Sequence, residues 1–269
     1  MNVRLSEAAR AAGHRLHVHD SLGSTNTEAL ERARSGETGP LWVVARRQEA
    51  GRGRRGNSWT SLPGNLAASL LWPVAGVEPD RIATLGFVAG VALAAALDEA
   101  CGTVPGSDAA GATRSIALKW PNDVLAGGAK LAGILLEAEM LPGGRRAVVI
   151  GFGVNVAAAP QGLPYPATSL AALGSATGAE KVLEFLSGHV TEAARLWEGG
   201  RNFAGIRARW LARAAGLGSP IAVRTGAETL EGLFDTIDEG GRLVILAPDG
   251  TRRTVTAGEV HFGTAATAA

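Results

Sequence analysis

The residues "KWPNDVLAGGAKLAGILLE", Lys119–Glu137, decide how the chain is read. A strand entering "ALKWPNDVL" meets Pro121, which turns the chain at the strand end and leaves Asn122 and Asp123 as polar groups where the backbone is tightly fixed. Seven residues after Asp123, Lys130 opens "KLAGILLEAEM", a mostly apolar run that reads as a strand from Lys130 to Met140. Taken singly, that lysine is an ordinary edge-strand charge. A further strand, "AVVIGFGVNV" (Ala147–Val156), follows the Pro-Gly-Gly turn of "LPGGRR", and its Gly151 and Gly153 on alternate positions allow a ligand to lie against the backbone.

Upstream, "LWVVARRQ" (Leu41–Gln48) reads as a strand feeding "GRGRRGNSW" (Gly51–Trp59), with "NLAASLLWPV" (Asn65–Val74) as its partner. Before it, "STNTEALERARSGE" carries a capping-box match, Thr25 with Glu28, and a stop at Gly36. Ser24 and Thr25 therefore sit at a helix start. The apolar segment Ile82–Leu97, bounded by charges and too short to span a bilayer, reads as a buried helix. A loop is expected at "GTVPGSDAAGA", and helices from Glu180 through Trp197 and over Phe203–Ala215. After "GLGS" the texture changes to four short runs, "PIAVRT", "TLEGLFDTI", "RLVILAP" and "RRTVTAGEVHF". The expected organisation is a mixed α+β domain over 1–216, a small β-barrel over 217–263 and a tail over 264–269.

Composition limits the function classes. With 26 Lys and Arg against 25 Asp and Glu the net charge is +1, so any basic feature is local, whereas non-specific nucleic-acid binding needs a broad basic face. A hydrophobic content of 46% supports a large core. The single cysteine, Cys101, forms no internal disulfide, and the first residues lack the apolar run of a signal peptide, so a cytoplasmic protein with no membrane association is expected. His14, His17 and His19 lack a complete metal-ligand set and read as exposed histidines on an early strand.

Within Gly51–Gly56, three glycines allow close backbone approach to an anion, and three arginines supply planar cationic forks for carboxylate or phosphate. The Gly-Lys-Ser/Thr ending of a Walker loop is absent. Gly51, Gly53 and Gly56 have dinucleotide-fingerprint spacing, but no amphipathic helix follows. An anion site and a basic surface loop both remain open from this stretch alone.

Together, "GSTNTEA", "RRQEAGRGRRGNSW", "KWPNDVL", "KLAGILLE" and "GFGVNV" occur in the order and approximate spacing of the bacterial biotin protein ligases, which the chain resembles from Gly23 to Val156. The resemblance implies a mixed-sheet, class II synthetase-like α+β catalytic domain with a C-terminal SH3-like barrel. It implies formation of biotinyl-5′-AMP from biotin and ATP with Mg, then transfer to a lysine of a biotin carboxyl carrier domain. By resemblance, Ser24, Thr25, Asn26, Gln48, Gly51, Arg52, Gly53, Arg54, Lys130 and Gly133 contact biotin, with Leu131–Leu135 lining the valeryl chain. Arg54, Arg55, Trp59, Asn122, Asp123, Lys130 and Asn155 serve ATP; Lys130, Arg54 and Asp123 serve catalysis; no protein metal ligand is assigned.

Two departures from the family pattern bear on this. Asn57 stands where many relatives carry another arginine, and only 22 residues precede "GSTN", which leads us to expect a ligase that does not bind operator DNA. A homodimer is compatible with the sequence. Two other readings stay open: a lipoate or octanoate ligase or transferase of related fold, and a nucleic-acid-binding regulator using Arg52, Arg54 and Arg55, whose binding would fall steeply with salt.

Overall fold

The computed structural model describes residues 3–102, 115–226 and 228–263. The expected loop at "GTVPGSDAAGA" and the tail fall almost wholly outside them. The chain runs α1 (Glu7–Ala11), β1 (Arg15–Leu22), α2 (Thr25–Arg34), β2 (Leu41–Gln48), β3 (Leu66–Trp72), α3 (Leu85–Cys101), β4 (Ile116–Lys119), β5 (Asp123–Ala126), β6 (Ala129–Met140), β7 (Arg146–Val154), α4 (Ala179–Trp197), α5 (Phe203–Leu211) and then β8 (Pro220–Thr225), β9 (Glu228–Ile237), β10 (Leu243–Leu246), β11 (Arg252–Val255) and β12 (Glu259–Phe262). β1 to β7 form one sheet in the order β1-β2-β3-β7-β6-β5-β4, and β8 to β12 form a second, all-antiparallel sheet in the order β11-β10-β9-β8-β12. In the first sheet β1 runs parallel to β2, and every other neighbouring pair is antiparallel.

The large sheet has two unlike faces because strand residues alternate in direction. Trp42, Val44, Ala68, Leu70, Ile134, Ile150, Phe152 and Val154 point into the main core, which α3 and α4 cover. On α4, Val182, Leu183, Leu186, Val190, Ala193 and Trp197 recur at helical spacing and are buried; each large apolar side chain contributes roughly 1.5–3 kcal/mol by leaving water. The 23-residue stretch Pro79–Cys101 is apolar and long enough to cross a membrane, yet most of it is buried in this core. The opposite face is covered only in part, where Ala29, Leu30 and Ala33 of α2 pack on Leu41, Val43, Leu71 and Val149. Beyond α2 that face is open.

The second sheet docks on α3 and α5 through aromatic contacts: the Phe87 ring lies 5.3 Å from both Phe203 and Trp210, and Trp210 lies 6.5 Å from Phe234. α5 ends at Leu211, earlier than the expected Ala215, because the following residues leave the helix to bond with edge strand β4: Leu118 N donates to Arg213 O and Ala215 N to Leu118 O.

Other expectations need correction. The strand entering "ALKWPNDVL" (β4) does end at the Pro121 turn as expected, but the sequence reading lacked the second strand, β5, that begins at Asp123 and completes a hairpin with it. "RRTVTAGEVHF" divides into β11 and β12, which lie at opposite edges of the second sheet. The capping box is absent: Ser24 is the N-cap but makes no capping bond, the Thr25 hydroxyl turns to Gln48, and Glu28 pairs with Arg32 at 2.7 Å. The three histidines are half-buried rather than exposed, and His14 Nδ1 accepts a hydrogen bond from Trp42 Nε1, with burial pushing its pKa down.

Candidate active site

Five strands place residues, most of them small, side by side on the open face. Asp123, Gly133, Gly153, Ala67 and Ala45 lie in one register row across β5, β6, β7, β3 and β2, and Leu135, Gly151, Ser69 and Val43 form the next row. The glycines make this floor a recess. A Cβ on Gly151 would collide with the Asn26 amide, and one on Gly153 with the Trp59 ring, which also sits 3.2 Å from where a Cβ of Gly133 would lie. The cleft above the floor has a volume of about 870 Å³.

One end is neutral and buried. Thr25, Asn26 and Ser69 are 4%, 3% and 0% exposed. Ser69 Oγ stands 2.7 Å from Thr25 Oγ1 and 2.5 Å from Asn26 Oδ1, and Thr25 Oγ1 stands 3.1 Å from Gln48 Oε1, which also accepts the Thr25 amide at 2.9 Å. Asn26 Nδ2 donates to Leu135 O and to Glu137 Oε2. Those three oxygen–oxygen contacts share two hydroxyl protons, so the set is one donor short. Gln48 Nε2 spends one of its two protons on Ser61 Oγ, leaving the other available, as is the Ser24 hydroxyl.

The other end is cationic. Lys130 Nζ lies 2.7 Å from Asp123 Oδ1, 5.3 Å from the Tyr165 ring and 5.9 Å from the Trp59 ring. Arg54 Nη1 donates to Asn122 Oδ1 at 3.2 Å, and Asn122 is itself fixed by donating to Ile134 O. Burial pushes the Arg54 guanidinium below its usual pKa and neighbouring Arg55 adds to the shift; burial likewise pushes the Lys119 ammonium down, with Asp123 opposing and Lys130 adding. The cleft lining carries six Lys and Arg (Arg52, Arg54, Arg55, Lys119, Lys130, Arg224) against two carboxylates (Asp123, Glu259), an excess suited to a polyanion.

The "GRGRRGNSW" loop closes on itself as a small hairpin at one side, with Arg52 bridged to Ser58 and Trp59 N donating to Gly51 O. Arg55 at its tip has φ 54°, a left-handed value uncommon for a side-chain-bearing residue. Asn57 lines the cleft.

Thus Ser24, Thr25, Asn26, Gln48, Arg52, Gly53, Arg54, Arg55, Trp59, Asn122, Asp123, Lys130 and Gly133 come together around one cleft. Four expected residues stand outside the lining: Gly51, Asn155, and Leu131 and Ala132 of the run expected along the valeryl chain, both of which are fully buried. Gly51 packs against the Trp59 carbonyl, and Asn155 is 2% exposed behind the floor, where its Nδ2 donates to Thr168 O. Sequence reasoning missed Lys119 and Tyr165 and, from the second sheet, Arg224, Glu259, His261 and Phe262, all in the lining, and it missed Ser69, which backs the lining through Thr25 and Asn26. Lys119 was within reach as the first residue of "KWPND"; the others lie in runs without a distinctive pattern.

Comparison with known proteins agrees with this construction. Residues 18–155 match the biotin/lipoate A/B protein ligase family and residues 216–263 the biotin protein ligase C terminal domain. A biotin-[acetyl-CoA-carboxylase] ligase of Paracoccus denitrificans is 44% identical over 250 residues, covering 89% of this chain and 97% of its own. The enzyme of that name from Mycobacterium tuberculosis is 32% identical over 260 residues, covering 94% and 90%. The structure of the Aquifex aeolicus biotin protein ligase in complex with biotin and ATP superposes with a TM-score of 0.74 at 25% identity, covering 93% of this chain and 99% of that one. Fold, cleft and sequence therefore agree that the chain belongs to the biotin/lipoate A/B protein ligase family, and within it to the biotin protein ligases.

Proposed function

We propose that the protein activates biotin with ATP and transfers it to a lysine of a biotin carboxyl carrier domain. A carboxylate oxygen of biotin attacks the α-phosphorus of ATP and pyrophosphate leaves; the carrier lysine amine then attacks the acyl carbon of biotinyl-5′-AMP and AMP leaves. The observation that carries the reading is the polarity of the cleft, a donor-short neutral end joined by a glycine floor to a cationic end built on Lys119, Lys130 and Arg54. A cyclic urea brings two N–H groups to the neutral end and a carbonyl for the Ser24 hydroxyl and the free Gln48 proton. Its acid chain then runs over Gly133 and Gly153 toward Lys130.

In this reading Lys130 and Arg54 neutralise charge as the carboxylate and the triphosphate approach, and fixed cations in a partly dry site stabilise the transition state better than water does. Trp59, Arg55 and Asn122 serve the nucleotide. The loop covers the acyl-adenylate and keeps water from it. Asp123, paired with Lys130, is the carboxylate placed to take a proton from the incoming amine. Mg would enter on the ATP phosphates, the usual arrangement for that ion. We place the division between catalytic domain and C-terminal module at residue 217, and the reaction in the cytoplasm.

The test is biotin-dependent exchange of labelled pyrophosphate into ATP with purified protein and Mg but no carrier. Exchange is expected with biotin. Exchange with lipoate or octanoate alone would keep the fold and change the substrate.

A further inference from the structure

Glu137, on β6, has no part in the roles given above, yet its Oε2 accepts two hydrogen bonds from different parts of the site. Asn26 Nδ2 donates to it at 2.8 Å from the first turn of α2, and Arg52 Nη2 at 2.7 Å from the glycine-arginine loop. Asn26 is buried, and its amide is otherwise oriented by Ser69 on the oxygen side and Leu135 on the nitrogen side. Arg52 is 45% exposed on the loop hairpin. Among the described residues two polar side-chain contacts tie Gly51–Trp59 to the sheet, Arg52 to Glu137 and Arg54 to Asn122.

An exposed ion pair by itself contributes little. This one differs because the same carboxylate oxygen also satisfies a buried amide, so the place where Arg52 is held is fixed by the place where Asn26 is held. Resting on the ligase reading, we propose that Glu137 is a positioning residue that couples the neutral end of the cleft to the loop. It orients Asn26 for biotin and anchors Arg52 so that the loop stays closed over the intermediate.

Two substitutions separate the halves of this role. Glu137→Gln keeps a carbonyl oxygen for Asn26 but loses the charge that holds Arg52; Glu137→Ala loses both. In the full chain, Glu137→Gln is expected to release preformed biotinyl-5′-AMP about tenfold faster with little change in the KM for biotin, the scale of one charge-assisted hydrogen bond. Glu137→Ala is expected to show the same fast release and also a KM for biotin raised about tenfold. Arg52→Ala should release biotinyl-5′-AMP as fast as Glu137→Gln does, and the double variant should release it no faster than either single one, since both break one contact. Wild-type pyrophosphate exchange is the control: without it the ligase reading itself fails. With wild type active, release from Glu137→Gln at the wild-type rate, or effects of Arg52→Ala and Glu137→Gln that multiply, would overturn the proposal. Glu137→Gln with an unchanged melting temperature carries the test if Glu137→Ala does not fold.

Discussion

At one end of the cleft Thr25, Asn26 and Ser69 are buried, uncharged and bonded to one another, while at the other Lys119, Lys130 and Arg54 stand around Asp123 with aromatic rings beside them. The neutral end is held where helix α2 packs on strands β2 and β3. The cationic end takes Lys119, Asp123 and Lys130 from strands β4, β5 and β6, Arg54 from the glycine-arginine loop, and Arg224 and Glu259 from the second sheet. The difference teaches a division of labour: a polar ring is met by buried dipoles bonded to one another, whereas reacting anions are met by charges gathered from separate elements.

The sharpest way to break that comparison is at Lys130. Lys130→Ala should reduce pyrophosphate exchange by about 10²–10³-fold, the usual effect of deleting one donor that stabilises developing charge, with biotin binding by calorimetry largely retained. Equal loss of binding and exchange would place Lys130 in ground-state recognition instead. The floor between the two ends comes next. Gly153→Ala puts a methyl where Trp59 rests, and because the ring lies on a loop it can move, so the fold should survive. The intruding group should cost the ligands about 1–3 kcal/mol, roughly tenfold or more in the KM for biotin and for ATP. Unchanged constants would mean that the ligand does not lie over Gly153.

Arg54→Ala probes the loop side of the cationic end. Loss of its bond to Asn122 should speed release of biotinyl-5′-AMP by about tenfold, with the melting temperature nearly unchanged because the loop contributes little to the core. A wild-type release rate would remove Arg54 from loop closure.

The sequence made the strands legible where apolar runs are bounded by turn residues: "LWVVARRQ" is β2 residue for residue, and "PIAVRT" is β8. It misjudged places where tertiary pairing overrides a local pattern. Thr25 and Glu28 have capping-box spacing, but Ser69 and Gln48 draw the Thr25 hydroxyl into the cleft. The motif residues converge on the cleft because each motif lies at the beginning or end of a strand or at the start of a helix bordering the open face. Ser69 was hidden inside an apolar strand, and Arg224, Glu259 and His261 inside a sheet whose approach to the cleft depends on how Phe87 and Trp210 dock it. Asn155 shows the converse: a motif residue at the end of β7 whose side chain turns to Thr168 and Asn65, away from the lining.

Lys119 gives the smallest expected effect and the one most specific to the cationic end. Burial lowers its pKa, Lys130 adds to that, and Asp123 and Glu259 only partly oppose it, so the ammonium loses its proton at lower pH than an exposed lysine does. Because the charged form attracts the triphosphate, affinity for ATP should be full below the lowered value and fall as pH rises through it. Lys119→Arg keeps its charge throughout this range and should move the alkaline rise in the KM for ATP to higher pH, leaving the KM for biotin unchanged. If the two profiles coincide, the alkaline limb belongs to another group, and the attraction at this end comes from Arg54, Arg55 and Lys130 without Lys119.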